Sequence, residues 1–142
     1  LRHAIARRYA LQGMNVSPDE IVITAGALEA LNLSLQAVTE PGDWVVVENP
    51  CFYGALQALE RLRLKALSVA TDVKEGIDLT ALEAALSPRT RAIVLNTPHN
   101  PSGALVSAAE LDRLAALIRG RGNLPFAVVF LWALAAIFAA SR

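Results

Sequence analysis

Several residue types that would point to a particular kind of protein are scarce in this chain. Cys51 is the single cysteine, so an internal disulfide is excluded and a reducing, cytoplasmic compartment is expected. One cysteine and two histidines do not make a metal site of known spacing. Acidic and basic residues balance at 13 each, which gives no electrostatic reason to expect nucleic acid or an anionic membrane as a partner.

Charge is also missing from the last part of the sequence. Leu124 to Ala140 contains no charged residue. The run is slightly shorter than the about 20 residues that a membrane-spanning helix needs, so a membrane anchor is the less favoured interpretation. A buried strand that begins within Phe126–Leu131, followed by an apolar tail, is preferred. We therefore predict one folded unit over residues 1–123 and a strand or tail over residues 124–142.

Apolar runs rich in Val and Ile alternate with segments of helical periodicity. Strands are predicted at Ile21–Thr24, Trp44–Glu48, Lys65–Ala70 and Arg91–Asn96. Helices are predicted at Leu1–Tyr9, Leu28–Val38, Phe52–Arg63, Leu79–Leu86 and Ser107–Arg119. Because the strands are apolar on both faces and alternate with helices, the expected fold class is α/β, with a mostly parallel sheet covered by helices on both faces.

Three short segments follow predicted strands and should lie at one edge of the sheet, where ligands bind in such folds. They are Ala25–Ala27, Asn49–Phe52 and Thr97–Gly103. In the first, Gly26 and Ala27 let a ligand approach the backbone at the start of a helix, whose free amides favour phosphate. A plain strand-to-helix turn has the same pattern.

The other two segments supply side chains. Phe52 is placed to stack on a flat heteroaromatic ligand, although an aromatic at this position is more often part of a core. In the third segment, two prolines and a glycine constrain an irregular loop and hold Asn100 in one direction. The bond between Asn100 and Pro101 is one at which a cis peptide is permitted.

These segments carry a resemblance to a known family. The order T-A-G-A-L-E-A-L, P-G-D-W-V-V-V-E-N-P-C-F-Y and N-T-P-H-N-P-S-G, within Ile5 to Arg121, resembles the class I/II aminotransferases. The resemblance implies the large domain of an aspartate-aminotransferase-like fold, incomplete here, with pyridoxal 5'-phosphate as cofactor. Gly26 and Ala27 would bind the cofactor phosphate through their amides, Phe52 would stack on the pyridine ring, and Asn100 would bind the ring's phenolic oxygen.

The resemblance also implies an activity and an assembly. Family members transfer an amino group between an amino acid and a 2-oxo acid, and they form homodimers. They use a lysine that forms a Schiff base with the cofactor and an aspartate that pairs with the ring nitrogen. Here the last acidic residue is Asp112, and the only lysines, Lys65 and Lys74, precede the signature loop. We therefore predict no catalytic residue in this chain, which we interpret as an inactive fragment.

An alternative function remains open. Some bacterial transcription regulators carry an aminotransferase-like effector domain after a DNA-binding domain, and the same motifs resemble those proteins about as well. In that case the chain itself would still contact no nucleic acid. A winged helix-turn-helix before Leu1 would favour the regulator over the enzyme.

Overall fold

A computed structural model describes residues 1–120, together with the backbone of residues 127–132 and 135–138. Within this part of the chain the helices are α1 (Arg2–Leu11), α2 (Ala27–Val38), α3 (Tyr53–Arg61), α4 (Leu79–Ala85) and α5 (Ala108–Arg119). The strands are β1 (Trp44–Asn49), β2 (Lys65–Asp72), β3 (Gly76–Ile77), β4 (Thr90–Asn96), β5 (Ala127–Trp132) and β6 (Ala135–Phe138).

The strands form one sheet in the order β3-β2-β1-β4-β5-β6. The four inner strands run parallel to one another, and the short strands β3 and β6 pair antiparallel at the two edges. Each crossover from one parallel strand to the next inner strand contains a helix, as parallel connections require. The predicted α/β class with a mostly parallel sheet is confirmed.

Alternation along β1 and β4 divides the core into two layers, because successive strand residues face opposite sides of a sheet. On one face, alternate strand residues pack against α2 and α3: Val45, Val47, Ala92 and Val94 against Leu31, Leu35, Ala55, Ala58 and Leu59. On the other face, the intervening residues pack against α4 and α5: Val46, Ile93 and Leu95 against Leu79, Leu82 and Leu114. Helices therefore cover both faces, as predicted.

The ends of two helices follow the capping chemistry of their sequences. Ser107 begins α5 with a capping box, in which its hydroxyl accepts from the Glu110 amide and the Glu110 carboxylate accepts from the Ser107 amide. Asp78 caps α4 by accepting from two amides of the first turn.

One predicted strand is wrong. Ile21–Thr24 is extended but pairs with no strand in the part of the chain that the structure describes. Val22 is 73% exposed and Ile23 is 46% exposed, so the apolar run does not enter the core. Apolar, β-branched sequence favours an extended backbone, but a strand also needs a partner, and local sequence does not supply one.

The apolar run near the end of the sequence forms strands where it is described. β5 pairs parallel with β4 over Ala127–Trp132, close to the region Phe126–Leu131 in which a strand was expected. β6 was not predicted and turns back along β5. Residues 124–126, 133–134 and 139–142 lie outside the described residues, and the boundary at 123/124 stays a prediction. The described helices are all too short or too polar to cross a membrane.

Candidate functional site at the carboxyl edge of the sheet

Two of the three predicted segments meet at the same edge of the sheet. β1 and β4 are parallel neighbours, with Val45 opposite Ala92 and Val47 opposite Val94, so they end side by side. Asn49–Phe52 leaves the end of β1, and Thr97–Gly103 leaves the end of β4. The two loops therefore lie at the edge where ligands bind in such folds.

The loop after β4 is closed by its own hydrogen bonds. The Gly103 amide donates to the His99 carbonyl oxygen at 2.6 Å, and the His99 amide donates to the Ala104 carbonyl oxygen at 2.7 Å. Asn100 lies at the exposed tip of this loop, and the Asn100–Pro101 peptide bond is cis, as the Asn-Pro sequence permitted. The bonds before Pro50 and Pro98 are also cis.

A buried pair of side chains joins the two loops. His99 Nε2 lies 2.9 Å from the Pro50 carbonyl oxygen, and its Nδ1 lies 2.5 Å from Ser102 Oγ. Glu48 Oε2 accepts from the Asn96 amide at 2.8 Å and lies 3.8 Å from His99 Nε2. Both Glu48 and His99 are 3% exposed. The loop that carries Phe52 and the loop that carries Asn100 are therefore held against each other.

Phe52 connects this pair of loops to the start of α2. A Cβ built on Gly54 would lie 2.5 Å from Cε1 of Phe52 and 2.8 Å from Cδ2 of Leu28. The aromatic ring and the Leu28 side chain thus meet over a glycine that leaves room for both. Phe52 is half-buried against the core and its centroid lies 5.1 Å from that of Tyr53.

Gly26 and Ala27 form the start of α2. Gly26 has φ +142°, a conformation that side-chain-bearing residues rarely adopt, and it precedes the helix without a side-chain cap. The first amides of a helix have no intrahelical acceptor, so they are available to an anion. The Glu29 carboxylate already accepts from the Ala25 amide, which places one negative charge beside this turn. The structure thus brings all three predicted segments together.

The two lysines lie at opposite ends of β2. Lys65 begins β2 at the opposite edge of the sheet, where its Nζ lies 5.5 Å from the ring of Trp44, the first residue of β1. Lys74 lies in the turn after β2, at the carboxyl edge but on the side of β1 away from β4. The loops have the features for holding a phosphate and a flat ring, and the lack of a lysine that anchors the cofactor stays a prediction.

Glu48 and His99 were not among the predicted site residues. Glu48 is a carboxylate at the end of the apolar stretch Val45-Val46-Val47, and a charge in a buried strand requires a partner. That signal was available in the sequence. It did not identify His99 as the partner, because the two residues are far apart along the chain. Burial raises the pKa of the Glu48 carboxyl, while the Asn96 amide and the charge of His99 act in the opposite direction.

The raised pKa of Glu48 predicts how its replacement changes stability with pH. The folded protein binds a proton on the Glu48 carboxyl more tightly than the unfolded chain does. Protonation of Glu48 therefore stabilises the fold fully below pH 4.5, the ordinary pKa of a glutamate carboxyl. That contribution is lost as pH rises through the folded-state pKa. The melting temperature of Glu48→Gln relative to the wild type should therefore increase between about pH 4 and pH 7. The difference is measured by calorimetry at several pH values.

Glu60→Gln, at an exposed position on α3, serves as the matched control for the loss of one carboxylate. The melting temperature of Glu48→Gln minus that of the wild type should rise with pH. A value that is constant with pH, or that falls as pH rises, would contradict the burial of an ionisable Glu48.

Comparison with known proteins identifies the class to which this fold and site belong. The chain belongs to the aminotransferase class I and II family, whose sequence profile matches residues 1–127. The cofactor of this family is pyridoxal 5'-phosphate.

Among individual relatives, the HTH-type transcriptional regulator YdcR of Escherichia coli K12 is 72% identical over 120 residues, which are 83% of this chain and 26% of that protein. Aspartate aminotransferase of Rhizobium meliloti is 38% identical over 113 residues, which are 78% of this chain and 28% of the enzyme. The crystal structure of the aspartate aminotransferase of Rhizobium meliloti superposes with a TM-score of 0.82 at 29% identity, covering 91% of this chain and 32% of the enzyme. The chain spans about a quarter to a third of the length of these relatives.

Proposed function

We propose that this chain binds pyridoxal phosphate without a covalent bond, at the carboxyl edge of β1 and β4. The observation that carries the proposal is the hydrogen bond between His99 and the Pro50 carbonyl oxygen, because it fixes the Phe52 and Asn100 loops against each other. When bound, the cofactor supplies an aldehyde and an electron-withdrawing ring.

Each predicted site residue has a separate part in this binding. The amides of Gly26 and Ala27, at the start of α2, bind the phosphate. Phe52 contributes a flat apolar surface for the ring, and Gly54 keeps that surface in place by leaving space beside it. Asn100, exposed at the loop tip, donates from its amide to the phenolic oxygen of the ring.

We further propose that the domain acts as the effector domain of a transcription regulator rather than as an enzyme. Over stretches of similar length, the chain is 72% identical to a regulator and 38% identical to an aspartate aminotransferase. The higher identity favours the effector-domain function. A second candidate is an aminotransferase that acts on an amino acid and a 2-oxo acid, which the family and the fold support. In both cases the cofactor would occupy the same loops.

DNA binding discriminates between the two candidates. In a longer protein that carries this chain, a regulator should show DNA affinity in a gel-shift assay that changes when pyridoxal phosphate is added. The same protein carrying Asn100→Ala should need more cofactor for that change. Transaminase turnover by the longer protein, together with DNA affinity that pyridoxal phosphate does not alter, would favour the enzyme and sink the regulator proposal.

The site residues are tested by the affinity of the isolated chain. Asn100→Ala should weaken pyridoxal phosphate binding by about 1 kcal/mol or slightly more, the worth of one hydrogen bond. Phe52→Ala should also weaken it, by about 1 kcal/mol, because the stacking surface is lost. Both values come from titration followed by absorbance, with inorganic phosphate as competitor.

Gln57→Ala, at an exposed position on α3 beyond the three loops, is the matched control and should bind as the wild type does. Unchanged affinity in both site variants, with circular dichroism showing an intact fold, would leave the assignment of Phe52 and Asn100 without support.

A further inference from the structure

Glu48 and His99 form a buried ionisable pair, and neither side chain is a contact to the cofactor in the proposed binding. Burying a charged or polar side chain costs free energy unless hydrogen bonds offset it, so such a pair needs an explanation. The side-chain hydrogen bonds of Glu48 and His99 go to residues of the two proposed cofactor loops or of the strand ends that carry those loops.

The hydrogen bonds of His99 can be assigned from chemistry. A carbonyl oxygen only accepts, so Nε2 carries a hydrogen and donates to Pro50. In the neutral ring, Nδ1 then accepts from the Ser102 hydroxyl, whose oxygen accepts in turn from the Ala104 amide at 3.3 Å. The ring therefore spans from the loop after β1 to the turn that presents Asn100.

Glu48 connects the end of β1 to the end of β4. Its carboxylate accepts from the Asn96 amide, at the last residue of β4, and so fixes the point from which the second loop departs. Glu48 Oε2 also lies 3.8 Å from His99 Nε2. A carboxylate at this position favours a hydrogen on Nε2, which is the hydrogen donated to the Pro50 carbonyl oxygen. We call the Glu48–His99 pair the bracket, because its hydrogen bonds join the ends of β1 and β4.

We infer that His99, oriented by Glu48, is a positioning residue that sets the distance between Phe52 and Asn100, and so tunes the site for the ring of a pyridoxal compound rather than for its phosphate. The inference rests on the proposed function for the identity of the ring. The phosphate site, at the start of α2, makes none of these hydrogen bonds. Loss of His99 should therefore affect ring binding and phosphate binding unequally.

The test compares two ligands on the 142-residue chain. In His99→Ala, the affinity for pyridoxal phosphate should fall about five- to tenfold, as expected for one lost hydrogen bond, while the affinity for inorganic phosphate stays within about twofold. His99→Gln, whose amide can donate in place of Nε2, should recover most of the loss. Titration calorimetry provides both affinities.

Ser34→Ala is the matched control for lost stability. It removes another buried hydrogen bond, from Ser34 Oγ to the Ala30 carbonyl oxygen at 2.6 Å, far from the two loops. It should lower the melting temperature without changing the ratio of the two affinities. A ratio that is also unchanged in His99→Ala, or that His99→Gln fails to restore, would overturn the positioning role.

Hydrogen exchange separates failure of the inference from failure of the proposed function. With no ligand present, the amides of Gly103 and Ala104 should exchange faster in His99→Ala than in the wild type, since the bracket is gone. If the wild type binds no pyridoxal phosphate but exchange responds in this way, the proposed function is wrong and the bracket stands. If exchange does not respond, the bracket is wrong whatever the wild type binds.

Discussion

The purified chain is expected to show no transaminase turnover above the rate of free pyridoxal phosphate. An enzyme of this kind accelerates its reaction by about a millionfold or more, so the expected difference from an active enzyme is large. Lys65 lies at the opposite edge of the sheet, Lys74 lies after β2 on the side of β1 away from β4, and both precede the signature loop, so neither matches the lysine that the family uses. No acidic residue follows Asp112 to hold a proton on the ring nitrogen.

Two measurements check this expectation. A steady-state assay with several amino donors and 2-oxoglutarate should match a control with the same concentration of free cofactor. Borohydride treatment followed by mass spectrometry should find no adduct at one specific lysine. Turnover above the control, or a stable adduct confined to Lys65 or Lys74, would show that the chain has an anchor that its fold does not suggest.

Removal of all residues after Gly122 is expected to unfold the domain. β5 pairs with β4 at five positions, from Ala92 with Ala127 to Asn96 with Leu131, and α2 also contacts it. Without β5, a strand whose Ile93 and Leu95 are fully buried becomes an edge. The loss of these contacts should exceed the about 5–15 kcal/mol by which a domain is stable.

Circular dichroism and thermal melting distinguish the shortened chain from the full one. A chain that ends at Phe138 keeps both β5 and β6 and should melt as a folded protein, so it is the control. A chain trimmed after Gly122 that melts cooperatively, at the temperature of the full chain and with better solubility, would mean that the apolar run contributes nothing to the fold.

The sequence alone was sufficient where local pattern and tertiary structure agree. The helical spacing of Leu28, Leu31 and Leu35 predicts α2 to within one residue. Leu31 and Leu35 are fully buried in the core, whereas Leu28 is 48% exposed. Strands β1 and β4 were predicted because a strand buried on both faces is continuously apolar, whereas β2 was predicted although most of its residues are exposed. The loops after β1 and β4 followed from topology, since parallel strands end at one edge. Ala25–Ala27 follows no strand of the described sheet and lies near Phe52 through Leu28 of α2.

What was missed depends on contacts between distant parts of the chain. Ile21–Thr24 has the composition of a strand, but pairing depends on a partner that composition does not show. The antiparallel direction of β6 was not predicted, because the sequence between β5 and β6 carries no turn signal such as glycine or asparagine. The contact of Glu48 with His99 joins a residue of β1 to a residue of the loop after β4, and only the sheet order brings them together.

A crystal structure of this chain grown with pyridoxal phosphate tests the central claim most directly. The account predicts the phosphate at the amides of Gly26 and Ala27, the ring against Phe52, and the phenolic oxygen within hydrogen-bond distance of Asn100, with no covalent bond to either lysine. Cofactor bound elsewhere on the folded chain, or its aldehyde carbon bonded to Lys65 or Lys74, would contradict it.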